Sequence, residues 1–288
     1  MSEKGIQQEV VLPFPSFDIL YEKIHLSGDI KSRLIAQIVL EFKVRSKISV
    51  EELPLHGIIL LYGPPGTGKT SLAKGIASKA AHILGVKIHY LEAEPHSMTS
   101  ATLGKSQKEI YKFLHEQVSE RAEQGPLIVL LDEVETLAGN RSKMSMEANP
   151  IDVHRATDAL LAGLDTLSSK YKNLLFIATT NFEGSVDPAF ISRADLIEYI
   201  GNPDKEACLT ILTDTIETLS KEWPKIKKLI DEPEFEKVAH SLYGLDGRRI
   251  RKLVLYACTF DKDVALDLNK LKLSHIKKAI KFAKEKKL

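Results

Sequence analysis

The stretch His56-Gly-Ile-Ile-Leu-Leu-Tyr-Gly-Pro-Pro-Gly-Thr-Gly-Lys-Thr70 decides the fold of this chain. Its apolar part, Ile58 to Tyr62, predicts a short buried strand, and the cluster of glycine and proline that follows ends it. After Thr70 the apolar residues recur at helical spacing as far as Gly85, which predicts a helix. A strand, a glycine-rich loop and a helix in this order are the context in which GxxxxGK[ST] forms a phosphate-binding P-loop. The sequence therefore predicts an α/β fold.

Each residue type in this loop has a chemical reason. The glycines let the backbone curl so that successive N–H groups point inward, and the helix that begins near Lys69 adds the positive end of its dipole. Lys69 is expected to reach the β- and γ-phosphates of ATP, and the Thr70 hydroxyl is expected to bind Mg²⁺. The residues expected to bind the nucleotide are Gly63, Pro64, Pro65, Gly66, Thr67, Gly68, Lys69 and Thr70. The alternative is a glycine-rich turn without a ligand, which the complete match to the motif disfavours.

Composition narrows the possible functions. The chain has 288 residues, of which 43% are hydrophobic and 27% charged, so it is long enough for a large domain and a small one. The net charge of +1 provides no overall field that would attract nucleic acid or an acidic membrane. Cys208 and Cys258 have no cysteine or histidine neighbours, so neither a disulfide framework nor a zinc site is expected. With no signal-peptide core and no long apolar run, a cytoplasmic protein is expected.

A second part of the nucleotide site follows the apolar run Leu127 to Leu131, which predicts a strand covered on both faces. This strand ends in Asp132-Glu133, about 60 residues after the P-loop. A carboxylate pair at the carboxyl end of a buried strand fits the second half of such a site. Asp132 is expected to hold Mg²⁺, usually through water, and Glu133 to polarise the attacking water. An acidic turn with no function is the alternative.

A third strand, Leu174 to Ala178, is followed by Thr179-Thr180-Asn181. A polar side chain at this strand end points into the same crevice as the other strand ends. Asn181 is therefore placed to orient water near the γ-phosphate, although an isolated asparagine in this position is more often a turn residue.

The chain divides into three parts by pattern. Residues 1–16 are polar and interrupted by proline, so they are expected to run extended over the surface. Residues 17–203 form the predicted α/β domain with a parallel sheet flanked by helices, and Asn202-Pro203-Asp204 marks its end. Residues 204–288 are expected to form a small helical domain. Its predicted helices are Glu206 to Leu219, Glu234 to Leu242, Arg248 to Phe260 and His275 to Lys287. The lysines of the last helix are expected to form a solvated face.

These motifs together resemble the AAA+ ATPases, with GPPGTGKT, LLDEVE and IATTN followed by an arginine-containing segment and a helical lid. Within that superfamily, VDPAFISRADLIEYIGNPD (Val186 to Asp204) and GLDGRRIRKL (Gly244 to Leu253) resemble the pachytene checkpoint protein two family, which remodels HORMA-domain proteins. The resemblance covers nearly everything from Phe17 to the C-terminus.

The resemblance implies a role for individual residues. Lys69 and Thr70 match the Walker A pair, Asp132 and Glu133 the Walker B pair, and Asn181 matches sensor 1. Arg193 matches the arginine finger, which acts on the nucleotide of a neighbouring subunit and is worth about 10³ to 10⁵ in rate. Arg248 matches sensor 2, with an ordinary surface arginine as the alternative. ATP and Mg²⁺ are the implied cofactors.

The family also implies a homo-oligomer, a hexameric ring whose central loops grip a polypeptide. The gripping loop is expected within Ser97 to Gly104, where eukaryotic members place aromatic residues. Here only Met98, Thr102 and Leu103 are candidates for contact with the substrate. The short segment before the ATPase core resembles the bacterial branch, whose members accompany a HORMA-domain protein and a cyclic-oligonucleotide synthase in anti-phage signalling and switch the pathway off.

Two other functions remain open from the sequence. An AAA+ machine of another class, such as a DNA clamp loader or helicase loader, would require a basic surface and salt-sensitive DNA binding. A nucleotide-dependent interaction module that does not hydrolyse ATP would not need Glu133, Asn181 and Arg193. The intact set of these three residues favours an ATPase, and neither a membrane nor nucleic acid is an expected partner.

Overall fold

The computed structural model describes residues 5–99, 105–140 and 150–285, with side chains described in the last range from residue 154 onward. The chain divides into two compact units. The first unit contains the described residues up to Glu22, Lys31–Gly63, and those of Lys69–Ile200. The second unit contains Lys23–Ile30, Pro64–Gly68 and the described residues from Gly201 onward. Among the described residues, no helix combines the length and the apolar character needed to cross a membrane.

The first unit holds a six-stranded sheet and the helices that pack on it. Its strands are β1 (Ile6–Leu12), β2 (Ile58–Tyr62), β3 (Ile88–Ala93), β4 (Leu127–Leu131), β5 (Leu174–Thr180) and β6 (Leu196–Tyr199). Its helices are α1 (Pro15–Glu22), α2 (Ile30–Arg45), α3 (Lys69–Leu84), α4 (Pro95–Met98), α5 (Lys105–Lys112), α6 (Ser119–Gln124), α7 (Pro150–Lys170) and α8 (Pro188–Ile191). A π-helical turn, Phe113–Val118, joins α5 to α6.

The sheet has the order β1-β3-β4-β5-β2-β6. The pairings β3–β4, β4–β5, β5–β2 and β2–β6 are parallel, which confirms the predicted parallel sheet for five strands. All residues of β4 and β5 are buried, as expected for strands covered by helices on both faces. The core of this unit is built around Leu60, Val129 and Phe176 of the central strands.

The N-terminal segment differs from its prediction. Residues 6–12 are extended, but they form a strand paired antiparallel with β3 instead of a surface segment, with Leu12 fully buried. Arg121 Nε and Nη2 donate hydrogen bonds to the two carboxylate oxygens of Glu9 at 2.8 and 2.9 Å, which ties β1 to α6. Alternation of apolar and polar residues is weak in IQQEVVL, so the sequence pattern did not indicate a strand.

The second unit is helical apart from its two short segments. Its helices are α9 (Lys205–Ser220), α10 (Phe235–His240), α11 (Gly247–Cys258), α12 (Lys262–Leu266) and α13 (Leu273–Glu285). The four predicted helices are thus present, with ends that shift by a few residues. Asp204 caps α9 by accepting the Ala207 N–H at 2.8 Å, and Asp246 caps α11 by accepting the Arg249 N–H at 2.9 Å. In α13 the buried side chains share one face and the described lysines are exposed, consistent with a solvated face.

Residues 23–30 are fixed to the helices of the second unit by polar contacts. His25 Nε2 lies 2.6 Å from Asp214 Oδ2, and Arg251 Nη2 donates to the Lys23 carbonyl oxygen at 2.9 Å. Both contacts join positions about 190 or more residues apart in sequence. The segment before α2 therefore belongs to this unit through specific side-chain contacts.

A buried charged cluster lies where α2 meets the sheet of the first unit. Glu41 is 1% exposed, accepts a hydrogen bond from Gln37 Nε2 at 2.7 Å, and has a second carboxylate oxygen without a hydrogen bond among the described residues. Burial, followed by the nearby Asp195 carboxylate, raises the pKa of Glu41 from 4.5 to about 7, against the opposing effects of Gln37 and Arg45. The folded protein therefore binds a proton here that the unfolded chain releases at lower pH.

This cluster predicts a pH-dependent stability. Because the folded-state pKa is raised, the protonated form is favoured on folding, and the stability present below about pH 4.5 is lost as pH rises through about 7. Glu41→Gln keeps the hydrogen bond from Gln37 and removes the titration. We expect it to raise the free energy of unfolding by up to about 3 kcal/mol near pH 8 and to have little effect near pH 4.5, measured by urea denaturation.

The exposed Glu116→Gln is the matched control and should leave stability unchanged at both pH values. A Glu41→Gln variant with the same pH dependence of stability as the wild-type protein would contradict the buried, protonated carboxyl.

Candidate active site

The register of the sheet brings the predicted site residues together. In the parallel pairings, Leu131 of β4 lies opposite Ala178 of β5, and Tyr62 of β2 lies opposite Thr180. The residues that follow these strands therefore emerge side by side at the carboxyl edge. Gly63 and Lys69 at the two ends of the P-loop, the acidic pair and the polar end of β5 therefore lie at this edge of the first unit.

The P-loop conformation depends on glycine at its first position. Gly63 has φ +147°, and a Cβ atom added there would lie 2.1 Å from the Ile200 carbonyl oxygen, so no other residue fits. Gly68, just before α3, has φ +92°, which side chains rarely adopt. Thr67 Oγ1 donates to the Pro64 carbonyl oxygen at 3.0 Å and closes the turn. This loop precedes the N-terminus of a 16-residue helix, the arrangement that binds phosphate.

Lys69 is held in place by the loop and by the end of β5. Its side chain is buried, and Nζ donates to the Gly63 carbonyl oxygen at 2.8 Å and to Asn181 Oδ1 at 3.0 Å. The ammonium group is therefore held between Gly63 and the end of β5, and the predicted Lys69 and Asn181 are in direct contact. A buried ammonium group favours an anionic group close to it.

Asp132 connects the P-loop helix to two strands. Its Oδ1 accepts a hydrogen bond from Thr70 Oγ1 at 2.8 Å and a short one from Thr179 Oγ1. Its Oδ2 has no hydrogen-bond partner among the described residues, so it remains able to accept from a water molecule or an ion's hydration shell. Thr179 is 2% exposed and was not singled out from the sequence, where only Asn181 of the same strand end was assigned a role.

Glu133 has an unusual backbone conformation. Its φ is +50°, the one positive φ among the described non-glycine residues, and it turns the chain sharply at the end of β4. The Glu133 N–H donates to Thr179 Oγ1 at 3.2 Å, which stabilises this turn. The carboxylate is 53% exposed, and its Oε2 lies 3.6 Å from His96 Nε2. Glu133 thus presents its carboxylate to solvent at the end of β4.

Asn181 is oriented at both its backbone and its side chain. Its N–H donates to Glu135 Oε1 at 3.3 Å, while its side-chain oxygen accepts from Lys69. The sequence did not identify Glu135 as a contributor, although it belongs to the LDEVE stretch that carries the acidic pair. Its position two residues after Glu133 was the one feature of the sequence that pointed to Glu135.

Neither of the two predicted arginines has a hydrogen bond or ion pair with Lys69, Asp132 or Glu133 among the described residues. Arg193 follows α8 in the first unit, and its guanidinium forms an ion pair with Asp165 at 2.7 Å instead of contacting the P-loop. Arg248 lies in the first turn of α11 in the second unit, is exposed, and has no hydrogen-bond or ion-pair partner among the described residues. Their assigned roles remain predictions.

The three predicted substrate-gripping residues have different outcomes. Met98, at the end of α4, is 1% exposed and packs in the core of the first unit, so the prediction that it contacts a polypeptide is wrong for this conformation. The physical reason is that the Met98 side chain belongs to the same buried apolar cluster as Ile6 of β1 and Ile110 of α5. Thr102 and Leu103 lie outside the described residues.

The residues around Asp132 fit a magnesium ion better than a softer metal. The described part of the chain contains no group of three or more His, Cys, Asp or Glu side chains arranged to hold a metal. A hydroxyl and a carboxylate oxygen 2.8 Å apart are hard ligands of the type that Mg²⁺ prefers. Because Thr70 and Asp132 would occupy only a few coordination positions of Mg²⁺, the other positions would be left for phosphate oxygens and water, as is usual for Mg²⁺ in phosphoryl-transfer sites.

The Thr179 hydroxyl provides a direct test of this network. Thr179→Val keeps the shape but leaves the Glu133 N–H without its acceptor and Asp132 without one donor, which costs about 1–3 kcal/mol. We expect ATP hydrolysis to fall about 10- to 100-fold, with little change in ATP affinity because the P-loop is intact. Steady-state hydrolysis and binding of a fluorescent ATP analogue measure the two quantities.

Thr180→Val is the matched control, because Thr180 is equally buried but bonds Phe182 and Ser185 instead of the acidic pair. It should retain most of the hydrolysis, as should Thr179→Ser. Equal activity of Thr179→Val and wild-type protein would contradict the assigned network.

Comparisons with known proteins identify the family to which this chain belongs. Residues 59–202 match the family model "ATPase family associated with various cellular activities (AAA)". CD-NTase-associated protein 6 of Pseudomonas aeruginosa is 47% identical over 286 residues, which cover 99% of this chain and 94% of that protein. Putative pachytene checkpoint protein 2 of Caenorhabditis elegans is 30% identical over 266 residues. This chain spans 62% of the length of that nematode relative.

Two solved structures share the fold. The structure of C. elegans PCH-2 superposes with a TM-score of 0.75 at 24% identity, over all of this chain and 77% of the other. A chain of the E. coli MS115-1 HORMA:CdnC:Trip13 complex superposes with the same TM-score at 16% identity, over 96% of this chain and 95% of the other. The chain therefore belongs to the AAA ATPase family, in the group that includes pachytene checkpoint protein 2 and CD-NTase-associated protein 6.

Proposed function

We propose that this protein is an ATP-driven remodeller that opens or disassembles a HORMA-domain protein, and that it thereby switches off bacterial anti-phage signalling in the cytoplasm. The observation that carries the proposal is the 47% identity, over nearly the whole chain, to a protein named for its association with a CD-NTase. One solved structure with the same fold is that of a HORMA:CdnC:Trip13 complex, in which a HORMA protein accompanies the AAA-type chain. The resemblance of VDPAFISRADLIEYIGNPD to the HORMA-remodelling family supports the same partner.

The hydrolytic chemistry is proposed from the contacts at the strand ends. Lys69, held between the P-loop and Asn181, would bind the β- and γ-phosphates of ATP. Thr70 and Asp132 would hold Mg²⁺, which supplies charge neutralisation for the transferred phosphoryl group. Glu133 would polarise the attacking water from its exposed position, and Asn181 would orient that water.

The negative charge that develops on the transferred phosphoryl group also requires a cationic hydrogen-bond donor that is not among these residues. We assign it to Arg193 of a neighbouring copy in a ring, for which a hexamer is the proposed form. Arg248, exposed and without a partner among the described residues, is assigned to the nucleotide as sensor 2. This arrangement makes hydrolysis depend on assembly.

Thr102 and Leu103 remain the proposed substrate-gripping residues, whereas Met98 is no longer a candidate. A DNA clamp loader or helicase loader is not favoured, because the near-full-length relative is named for a CD-NTase and the net charge is +1. The partner is therefore expected to be protein and not nucleic acid.

Glu133→Gln tests the proposed catalytic role. The amide keeps the size of the side chain but cannot accept a proton, so we expect ATP hydrolysis to fall about 10²- to 10⁴-fold while ATP binding and assembly persist. Phosphate release, ATP binding and analytical ultracentrifugation report the three properties. Glu120→Gln on the exposed face of α6 is the control, and full hydrolysis by Glu133→Gln would remove Glu133 from its role.

A purified HORMA-domain protein with a fluorescent peptide in its binding site tests the partner. The wild-type protein with ATP should release the peptide and the HORMA protein should stimulate hydrolysis, whereas Glu133→Gln should bind the HORMA protein without releasing the peptide. If the wild-type protein shows neither stimulated hydrolysis nor peptide release, the proposed HORMA-domain substrate is wrong. The proposed ATPase activity would not be contradicted by that result.

A further inference from the structure

The Arg193 guanidinium is held by two acceptors of its own chain. Its Nε and Nη2 each donate to an oxygen of the Asp165 carboxylate at 2.7 Å, a two-point contact. Its Nη1 donates to the Ala189 carbonyl oxygen, also at 2.7 Å. Arginine and carboxylate in this geometry form one of the strongest hydrogen-bonded pairs in proteins. Arg193 is therefore fixed in direction although 24% of its side chain is exposed.

Two N–H groups of the Arg193 guanidinium have no acceptor among the described residues. A guanidinium has five N–H donors, and three of them are used by Asp165 and Ala189. No other acceptor among the described residues reaches this side chain, so one N–H remains on each terminal nitrogen. Two such donors suit a phosphate, which arginine recognises with paired N–H groups.

Both Asp165 and the chain segment that carries Arg193 are anchored to the rest of the first unit. Asp165 projects from α7, where Leu164 is fully buried and Leu167 is 1% exposed. On the other side, Asp195 accepts the His56 and Ile58 N–H groups at 3.0 and 2.9 Å and fixes the chain two residues after Arg193 to the start of β2. The rotamer freedom that a surface arginine ordinarily has is thus largely removed before any ligand arrives.

We propose that Asp165 is a positioning residue for the ATPase reaction, which holds Arg193 so that its two unused N–H groups face a phosphate bound by a neighbouring copy of the chain. Asp165 touches neither nucleotide nor water and acts through Arg193 alone. The inference rests on the proposed role of Arg193 in trans. The pre-formed pair lowers the entropy lost when the arginine contacts the phosphate.

Asp165→Asn tests this inference, because the amide keeps the shape but loses the charge and one of the two acceptors. We expect the maximal rate of ATP hydrolysis to fall about 10- to 100-fold, with the dissociation constant for ATP and the assembly state unchanged. Asp165→Glu keeps the carboxylate and should recover more activity than Asn. Asp158→Asn, an exposed carboxylate two turns earlier on α7, is the matched control and should remain close to wild type.

A double-mutant cycle separates positioning from a general structural effect. Adding Asp165→Asn to Arg193→Ala should cause no further loss of rate, because the arginine that Asp165 orients is already absent. A further loss of the same size in that background would overturn the inference.

The activities of Arg193→Ala and Asp165→Asn separate an error in the role of Asp165 from an error in the role of Arg193. If Arg193→Ala abolishes hydrolysis but Asp165→Asn hydrolyses ATP at the wild-type rate or faster, the positioning role is wrong and the trans arginine stands. A faster rate would mean that Asp165 restrains Arg193. If Arg193→Ala retains full activity, the proposed role of Arg193 fails first and the inference fails with it.

Discussion

The hydrogen bonds to the Asp132 carboxylate are the interactions on which this site depends. One carboxylate oxygen accepts from Thr70 at the start of α3 and from Thr179 near the end of β5, while Asp132 itself follows β4. Three elements that are distant in sequence are thereby joined within hydrogen-bond distance. Because Thr179 also accepts the Glu133 N–H, the same buried hydroxyl fixes both the proposed magnesium ligand Asp132 and the proposed base Glu133. A change in the separation of β4 and β5 would therefore move Asp132 and Glu133 together.

The parallel register makes this junction possible. Leu131 lies opposite Ala178, and Tyr62 opposite Thr180, so the chain leaves each strand at the same level of the sheet. Lys69, which follows the loop after β2, therefore contacts Asn181, which follows the neighbouring strand β5. The site is built from the ends of three neighbouring strands, and its precision comes from backbone pairing in the buried sheet and not from loops alone.

The Arg-Ala-Asp segment shows how one short motif performs two physical tasks. Asp195 accepts the backbone N–H groups of His56, just before β2, and of Ile58, its first residue, and Arg193 pairs with Asp165 on α7. The segment that carries the proposed trans arginine is thus attached to the same strand that leads into the P-loop.

Much of the fold was predictable, because the strands are continuous apolar runs and the helices have clear periodicity. The P-loop, Asp132, Glu133 and Asn181 were predictable because each follows a buried strand. The roles of Thr179, Glu135 and Asp165 were not, since their partners lie 28 to 47 residues away in sequence and only the packed structure shows them. Strand β1 was not predicted because a half-exposed edge strand has little apolar alternation, and Met98 was assigned to the substrate loop because the sequence does not indicate that the last residue of this short helix is buried.

The central claim is that a phosphate site on one copy is completed by Arg193 of another. Mixed assemblies of Arg193→Ala and Glu133→Gln subunits test it directly, because each variant alone is expected to be inactive. In a mixed ring, an Arg193→Ala subunit keeps its own Glu133 and receives an intact arginine from a Glu133→Gln neighbour. Hydrolysis is therefore predicted to reappear on mixing and to peak near equal amounts at about a quarter of the wild-type rate, as random arrangement around a head-to-tail ring requires. Mixtures that remain inactive, with co-assembly of the two variants demonstrated by differently tagged subunits, would contradict it.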